Sequence, residues 1–198
     1  MSIYFIIIIG IIVFQYLLSF VVKILNIKAL DPNLPKEFEE TFDQDKYTKS
    51  QEYTKTNTRF SFFTSTFSLI INLSFIFGGV YNIIDLYVRD FGYSHEITGL
   101  CFFGLLFVIN DFLNIPFSIY KTFVIEEKYG FNKTTIKTFI MDKIKGYFLT
   151  VLIGAPVLYL ILYFFGSFGD VAWVYVWGFL VAFSVIMQPI FNTFIAPM

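Results

Sequence analysis

Charge is scarce in this sequence. Charged residues make up 15% of its 198 positions, against about a quarter in an average soluble domain. The formal net charge of -1 excludes the basic footprint on which nucleic-acid binding depends, so no nucleic acid is expected as a partner. Cysteine occurs once, at Cys101 inside an apolar run, which rules out a disulfide or a cysteine metal cluster within the chain. Histidine also occurs once, at His95. One imidazole does not make a metal centre, which usually takes three or four protein ligands.

Long apolar runs are what the sequence has instead. Hydrophobic residues reach 57% and the mean hydropathy is +0.69. A membrane-crossing helix needs about 20 mostly apolar residues. Runs 3–22, 60–84, 146–169 and 171–198 meet that without a charge, and 97–120 meets it with one, Asp111. Gly166-Ser167-Phe168-Gly169-Asp170 separates the last two and reads as a tight turn. Residues 3–22 read as an uncleaved anchor rather than a signal peptide: the start lacks a basic residue, the run is too long, and no A-x-A site follows. The expected fold is all-α, a polytopic membrane helical bundle of about five transmembrane helices. Lipid requires backbone polar groups to be paired within each segment, and no barrel-type alternation is present. The expected layout is a first anchor over 1–30, then a membrane unit over 31–198. That unit holds a polar helix at 43–60 and four further spans near 60–88, 97–120, 146–169 and 171–194.

Basic residues set orientation. The connections between spans hold seven, one, six and no Lys or Arg, in chain order. The alternation places the N-terminus outside and the C-terminus in the cytoplasm, with 23–59 and 121–145 as the cytoplasmic connections. Trp173, Tyr175 and Trp177 then open the fifth helix at the outer interface, where amphipathic rings settle.

In the first cytoplasmic connection, Asp31-Pro32 and Leu34-Pro35 interrupt regular structure. A polar helix then runs from 43 towards the second span, with Asp45 and Lys49 as an i,i+4 pair and Lys46, Lys49, Glu52 and Lys55 on a solvated face. In the second connection, the third span is expected to continue through Glu126 and Lys128. Gly130 then takes the left-handed position that ends a helix. Asn132, Thr134 or Thr135 caps the next helix, whose Ile136, Ile140 and Ile144 form an apolar stripe suited to the membrane interface. Asn132-Lys133-Thr134 matches a glycosylation sequon, discounted by its cytoplasmic placement. A helix corner accounts for this stretch except for Glu126 and Glu127, which a bare corner does not require.

FVIEEKYGFNKTT (123–135) resembles the hallmark segment of the type 1 CAAX prenyl proteases, integral-membrane zinc metallopeptidases. Flanking segments are similar too, in the same order: KYTKSQEYTKTNTRF (46–60), DFLNIPFSIY (111–120), IKGYFL (144–149), IGAPVLYL (153–160) and FNTFIAPM (191–198). The resemblance covers roughly residues 30 to 198 and implies the N-terminal membrane domain of such an enzyme. In the family, the membrane helices wall a water-filled chamber that a catalytic half closes from the cytoplasmic side.

The chain departs from that pattern in one large respect. The family's His-Glu-x-x-His, whose histidines hold zinc while the Glu acts as general base, is absent here. His95-Glu96-Ile97-Thr98-Gly99 begins like it but has Gly in place of the second His. No cofactor is therefore expected in this chain. Zinc is expected in a catalytic half carried by the same or another chain, and the partners implied are the bilayer, that half, and a peptide substrate of the complete enzyme.

Asn110, Asp111 and Asn114 are the candidate polar groups within a span. They face either the chamber or catalytic half, or headgroup water at a last turn bent by Pro116. Asn72 is a weaker candidate of the same kind, and Gly178 with Ala182 forms a small-x-x-x-small pair suited to helix packing. Glu126, Glu127 and Asn132 are the candidate docking groups. The resemblance implies an anchoring, chamber-walling role. The alternative is a stand-alone non-catalytic membrane scaffold or subunit. A transporter is disfavoured by the lack of an inverted repeat or a broken-helix pair.

Overall fold

A computed structural model of the chain describes residues 2–35 and 43–195. Lys36 of the first connection and the end of the FNTFIAPM stretch lie outside the described residues. All described regular structure is helical. It comprises α1 (Ile3–Ala29), α2 (Gln44–Phe77), α3 (Val80–Arg89), α4 (His95–Tyr120), α5 (Glu127–Tyr129), α6 (Ile136–Leu149), α7 (Ala155–Phe168) and α8 (Ala172–Ile190). Three π-helical turns, Lys121–Glu126, Thr150–Gly154 and Phe191–Ile195, follow α4, α6 and α8. Four continuous helical stretches are long and apolar enough to cross a membrane: Ile3–Ala29, Gln44–Phe77, His95–Tyr129 and Ile136–Thr193. The last contains two crossings, because α7 stops at Phe168 and the chain reverses through a 3-10 turn, Gly169–Val171, into α8. Five membrane-length helices result.

The polar run from 43 and the second apolar run form one helix. Asp43 caps it, its side chain accepting from the Lys46 N–H. The resulting 34 residues measure about 50 Å, more than the ~30 Å hydrocarbon layer, so its Ser- and Thr-rich first half extends beyond the lipid. This helix does not reach 88. It ends at Phe77, because Gly79 adopts φ +67, a left-handed conformation that side chains with a Cβ resist. Residues 80–89 form the separate, short α3, which buries Ile84 and Val88 and pairs Asp85 with Arg89 at 2.7 Å. The hydrogen bond and charge of Asp85 hold the guanidinium protonated beyond its ordinary range.

The chain forms two compact units. One comprises residues 1–83 and 109–134. In it α1 and α2 run antiparallel, as the pairs Phe5–Phe77, Tyr16–Thr66 and Phe20–Phe62 show. Lys23 fastens the polar end, donating to the Ser61 carbonyl at 3.2 Å and to Ser65 Oγ at 3.1 Å over the Phe62 ring. On its other side α2 meets the end of α4, where Phe117 is ringed by Phe60, Phe63 and Phe67. The second unit comprises 84–108 and 135–198. There the first half of α4 lies antiparallel to α6–α7, with Gly99 against Leu162 and Phe107 against Tyr147. The α7–α8 hairpin is closed by Tyr175, stacked on Phe168 at 4.2 Å, while Trp173 and Trp177 stay exposed.

Close helix approach occurs at Gly99, where an added Cβ would lie 2.6 Å from Leu162 Cδ1, and not at Gly178, which has open space beside it. Gly178 and Ala182 therefore do not form a close helix contact among the described residues. Long apolar helix faces with many large side chains exposed are what a protein solvated by lipid on its outer faces requires.

Candidate functional site

The corner at 121–135 is built from the chain's own capping groups. Glu127–Tyr129 closes the long helix, and Gly130 takes φ +76, the left-handed conformation that Gly adopts without a Cβ clash. The Glu126 carbonyl accepts from the N–H groups of Phe131 (2.9 Å) and Asn132 (3.3 Å). Asn132 then joins both sides of the turn. Its Nδ2 donates to Glu127 Oε2 at 2.9 Å, and its Oδ1 accepts from the Thr134 N–H at 2.7 Å. Of the three possible caps for α6, Thr135 serves, accepting from the Thr138 N–H.

Tyr129 locks the corner onto α2. The ring is 5% exposed. Its hydroxyl donates to the Glu52 carbonyl at 3.3 Å and lies 2.7 Å from Thr56 Oγ1. Tyr53 packs edge-on against both Tyr129 and Phe131, at 5.4 and 4.7 Å between centroids. Ile125 is buried one turn before. Sequence reasoning misses Tyr53 and Tyr129: Tyr129 and Phe131 flank the corner glycine in the sequence, but Tyr53 lies on α2 and no local pattern pairs it with them.

Glu126 and Glu127 differ in role within this frame. Glu127 is exposed and bonded to Asn132, so it helps fold the corner. The half-buried Glu126 carboxylate has no hydrogen-bond or ion-pair partner among the described residues. Asn110, Asp111 and Asn114 are not brought to the corner. Twelve residues separate Asn114 from Glu126, about 18 Å of helix. Asn114 Nδ2 donates to the Asn110 carbonyl at 2.7 Å and to Asn110 Oδ1 at 3.2 Å. Asp111 is half-exposed and partnered.

A second polar feature lies within the first unit. An open groove of about 410 Å³ between α1 and α2 is lined by Gln15, Tyr16, Ser19, Ser65, Ser68 and Asn72 together with the aliphatic Ile12 and Leu69. Tyr16 bonds Thr66 across it at 2.8 Å, and Asn72 Oδ1 accepts weakly from the Tyr81 hydroxyl at 3.4 Å. Gln15, Ser19 and Ser68 have no hydrogen-bond partner among the described residues. The signal existed in the sequence: Gln15, Ser19 and Lys23 recur at i+4, and Ser61, Ser65, Ser68 and Asn72 share a helix face. A scan for charges passes over neutral groups.

The described residues do not fit a zinc ion. No group of three or more His, Cys, Asp or Glu among them is placed to hold a metal. His95 is exposed at the start of α4, and Gly99, in the place of a second histidine, faces Leu162 too closely for any side chain to stand there undisturbed.

Residues 23–198 match the family described as CAAX prenyl protease N-terminal, five membrane helices. CAAX prenyl protease 1 of Saccharomyces cerevisiae is 35% identical over 182 residues, covering 86% of this chain and 40% of that protein. The Dictyostelium discoideum CAAX prenyl protease 1 homolog is 33% identical over 202 residues, covering 98% and 47%. The crystal structure of S. mikatae Ste24p aligns with a TM-score of 0.89 at 30% identity, over 100% of this chain and 48% of that one. The chain thus spans about half the length of the relatives it matches. It is a multi-pass integral membrane protein that corresponds to their N-terminal membrane portion, and it belongs to the CAAX prenyl protease N-terminal family.

Proposed function

We propose that this chain anchors a CAAX prenyl protease-type zinc metalloendopeptidase in the membrane and walls its chamber. The α1–α2 groove carries this proposal. An unpaired polar side chain in hydrocarbon costs roughly 2–7 kcal/mol, and Gln15, Ser19 and Ser68 lie in the middle of membrane-length helices without partners. A water-filled space beside that face removes the cost. The long polar extension of α2 and the corner locked to it form one end of the first unit, where a catalytic half has a platform to meet. The basic connections put that end, and the C-terminus, in the cytoplasm. Zinc and the general base reside in the catalytic half, and the substrate of the complete enzyme is a prenylated or membrane-associated peptide. Glu126, with its free carboxylate, is the docking group towards that half. Asn110, Asp111 and Asn114 face the chamber.

Thiol accessibility tests the wall. In a Cys101→Ser background, Gln15→Cys, Ser19→Cys and Asn72→Cys react with a charged, water-soluble thiol reagent, whereas Leu17→Cys and Ile70→Cys, on the outer faces, do not. Equal reaction of both sets removes the chamber from the proposal and leaves the stand-alone scaffold or subunit. Docking is separable from it: Glu126→Lys lowers the activity of the complete enzyme while insertion stays intact, and unchanged activity ends that role.

A further inference from the structure

One apolar surface crosses the boundary between the membrane and the polar corner. Ile136, Ile140, Ile144 and Phe148 step by four along α6, and Leu152 extends the row into the π-helical turn. All five side chains are more than half exposed. The end of the row belongs to a membrane-length helix, where lipid is the solvent, and no polar residue interrupts the row on its way to Ile136.

Length points the same way. α6, its π turn and α7 contain 14, 5 and 14 residues, about 50 Å of helix. The hydrocarbon layer is ~30 Å thick, and ~40–45 Å with its headgroup regions. A tilted helix, or one that changes direction at the π turn, keeps α6 within the headgroup region. The charges of α6 suit that place. Lys137 is exposed in the first turn.

We propose that α6 is a lipid-binding element selective for anionic phospholipid. The Ile140–Ile144–Phe148 row lies among acyl chains, and Lys137 lies at the level of the phosphates. This rests neither on the orientation of the chain nor on its part in an enzyme.

Bimane placed at Ile140→Cys in a Cys101→Ser background tests it, with the intact chain in phospholipid nanodiscs. Ile144→Cys serves as a second label on the same face, and Thr138→Cys as a control on the opposite one. The Ile140 and Ile144 labels are quenched by acyl-brominated phosphatidylglycerol more strongly than by acyl-brominated phosphatidylcholine at equal mole fraction. Lys137→Ala reduces that preference about fivefold, the effect of one lysine at an anionic surface. Salt at about 1 M removes most of it. Equal quenching by the two lipids overturns the selectivity. Quenching by aqueous iodide alone, or by none of the three, overturns the proposal entirely, the last by showing that protein covers the row.

Discussion

Replacing Tyr129 with Phe removes one oxygen and leaves a buried ring in place, so it isolates the bond that ties the corner to α2. The hydroxyl donates to the Glu52 carbonyl and sits 2.7 Å from Thr56 Oγ1. Two net hydrogen bonds would suggest a loss of about 1–3 kcal/mol. Thr56, however, has a fallback partner. Thr54 and Thr58 each donate to the carbonyl four residues before them, at 2.9 and 2.8 Å. Thr56 can do the same to Glu52, satisfying both groups that the substitution orphans. The expected cost is therefore about 1 kcal/mol, the value of a single net bond and roughly a fivefold shift in the equilibrium for opening the corner. Amide hydrogen exchange at Phe131 and Asn132 reads this, because both N–H groups are bonded to the Glu126 carbonyl and exchange only when the turn opens. Tyr129→Ala removes the ring as well and costs about 3–5 kcal/mol, as for other buried aromatics. Thr56→Val made in the Tyr129→Phe background removes that fallback bond and costs about 1 kcal/mol more, and the two substitutions are not additive because they touch one network. Exchange at Phe131 and Asn132 unchanged by Tyr129→Phe would refute the lock.

Two glycines give further tests. Gly130→Ala places a Cβ in left-handed backbone, for about 1–2 kcal/mol. The nearest atom to that Cβ is the mobile Lys49 ammonium at 3.7 Å, so the cost is conformational. Gly130→Asn, which tolerates this conformation better, costs less by the same exchange assay. Gly99→Ala drives a Cβ into Leu162 and lowers thermal stability by about 1–3 kcal/mol. Leu162→Ala in that background restores part of the loss, whereas a cost at Gly99 that Leu162→Ala leaves untouched argues against close packing of α4 on α7.

How far the fold could be read ahead varied with the kind of signal. Gly130 at the end of one helix and Thr135 at the start of the next follow from local chemistry: a left-handed glycine and a hydroxyl that caps free N–H groups. The reversal at Gly169 is of the same kind, and hydropathy alone gives the membrane class. The Gly78-Gly79 break was not legible, because two glycines hardly lower the apolarity of the run around them. The bond from Asn132 to Glu127 spans the corner, so no helical spacing announces it. It gives Glu127 a part in folding the turn, a part that the half-buried Glu126 carboxylate does not share.

The glycines and the polar seam show why the rest stayed hidden. Gly99 and Gly178 are equal on paper, each a small residue in a membrane helix. Packing separates them, because only Gly99 has a side chain from another helix against it. Gln15 and Ser68 pose the same difficulty in reverse. Each is a single neutral polar residue in an apolar run, and alone neither argues for anything. Their significance comes from pairing across two antiparallel helices. That pairing gathers them with Ser19, Ser65 and Asn72 on one groove and leaves charged groups, except Lys23 at its end, out of the seam. A neutral polar face in the middle of a bilayer is stable against water and costly against lipid, so what lies beside the groove decides whether this unit is a wall or only an anchor.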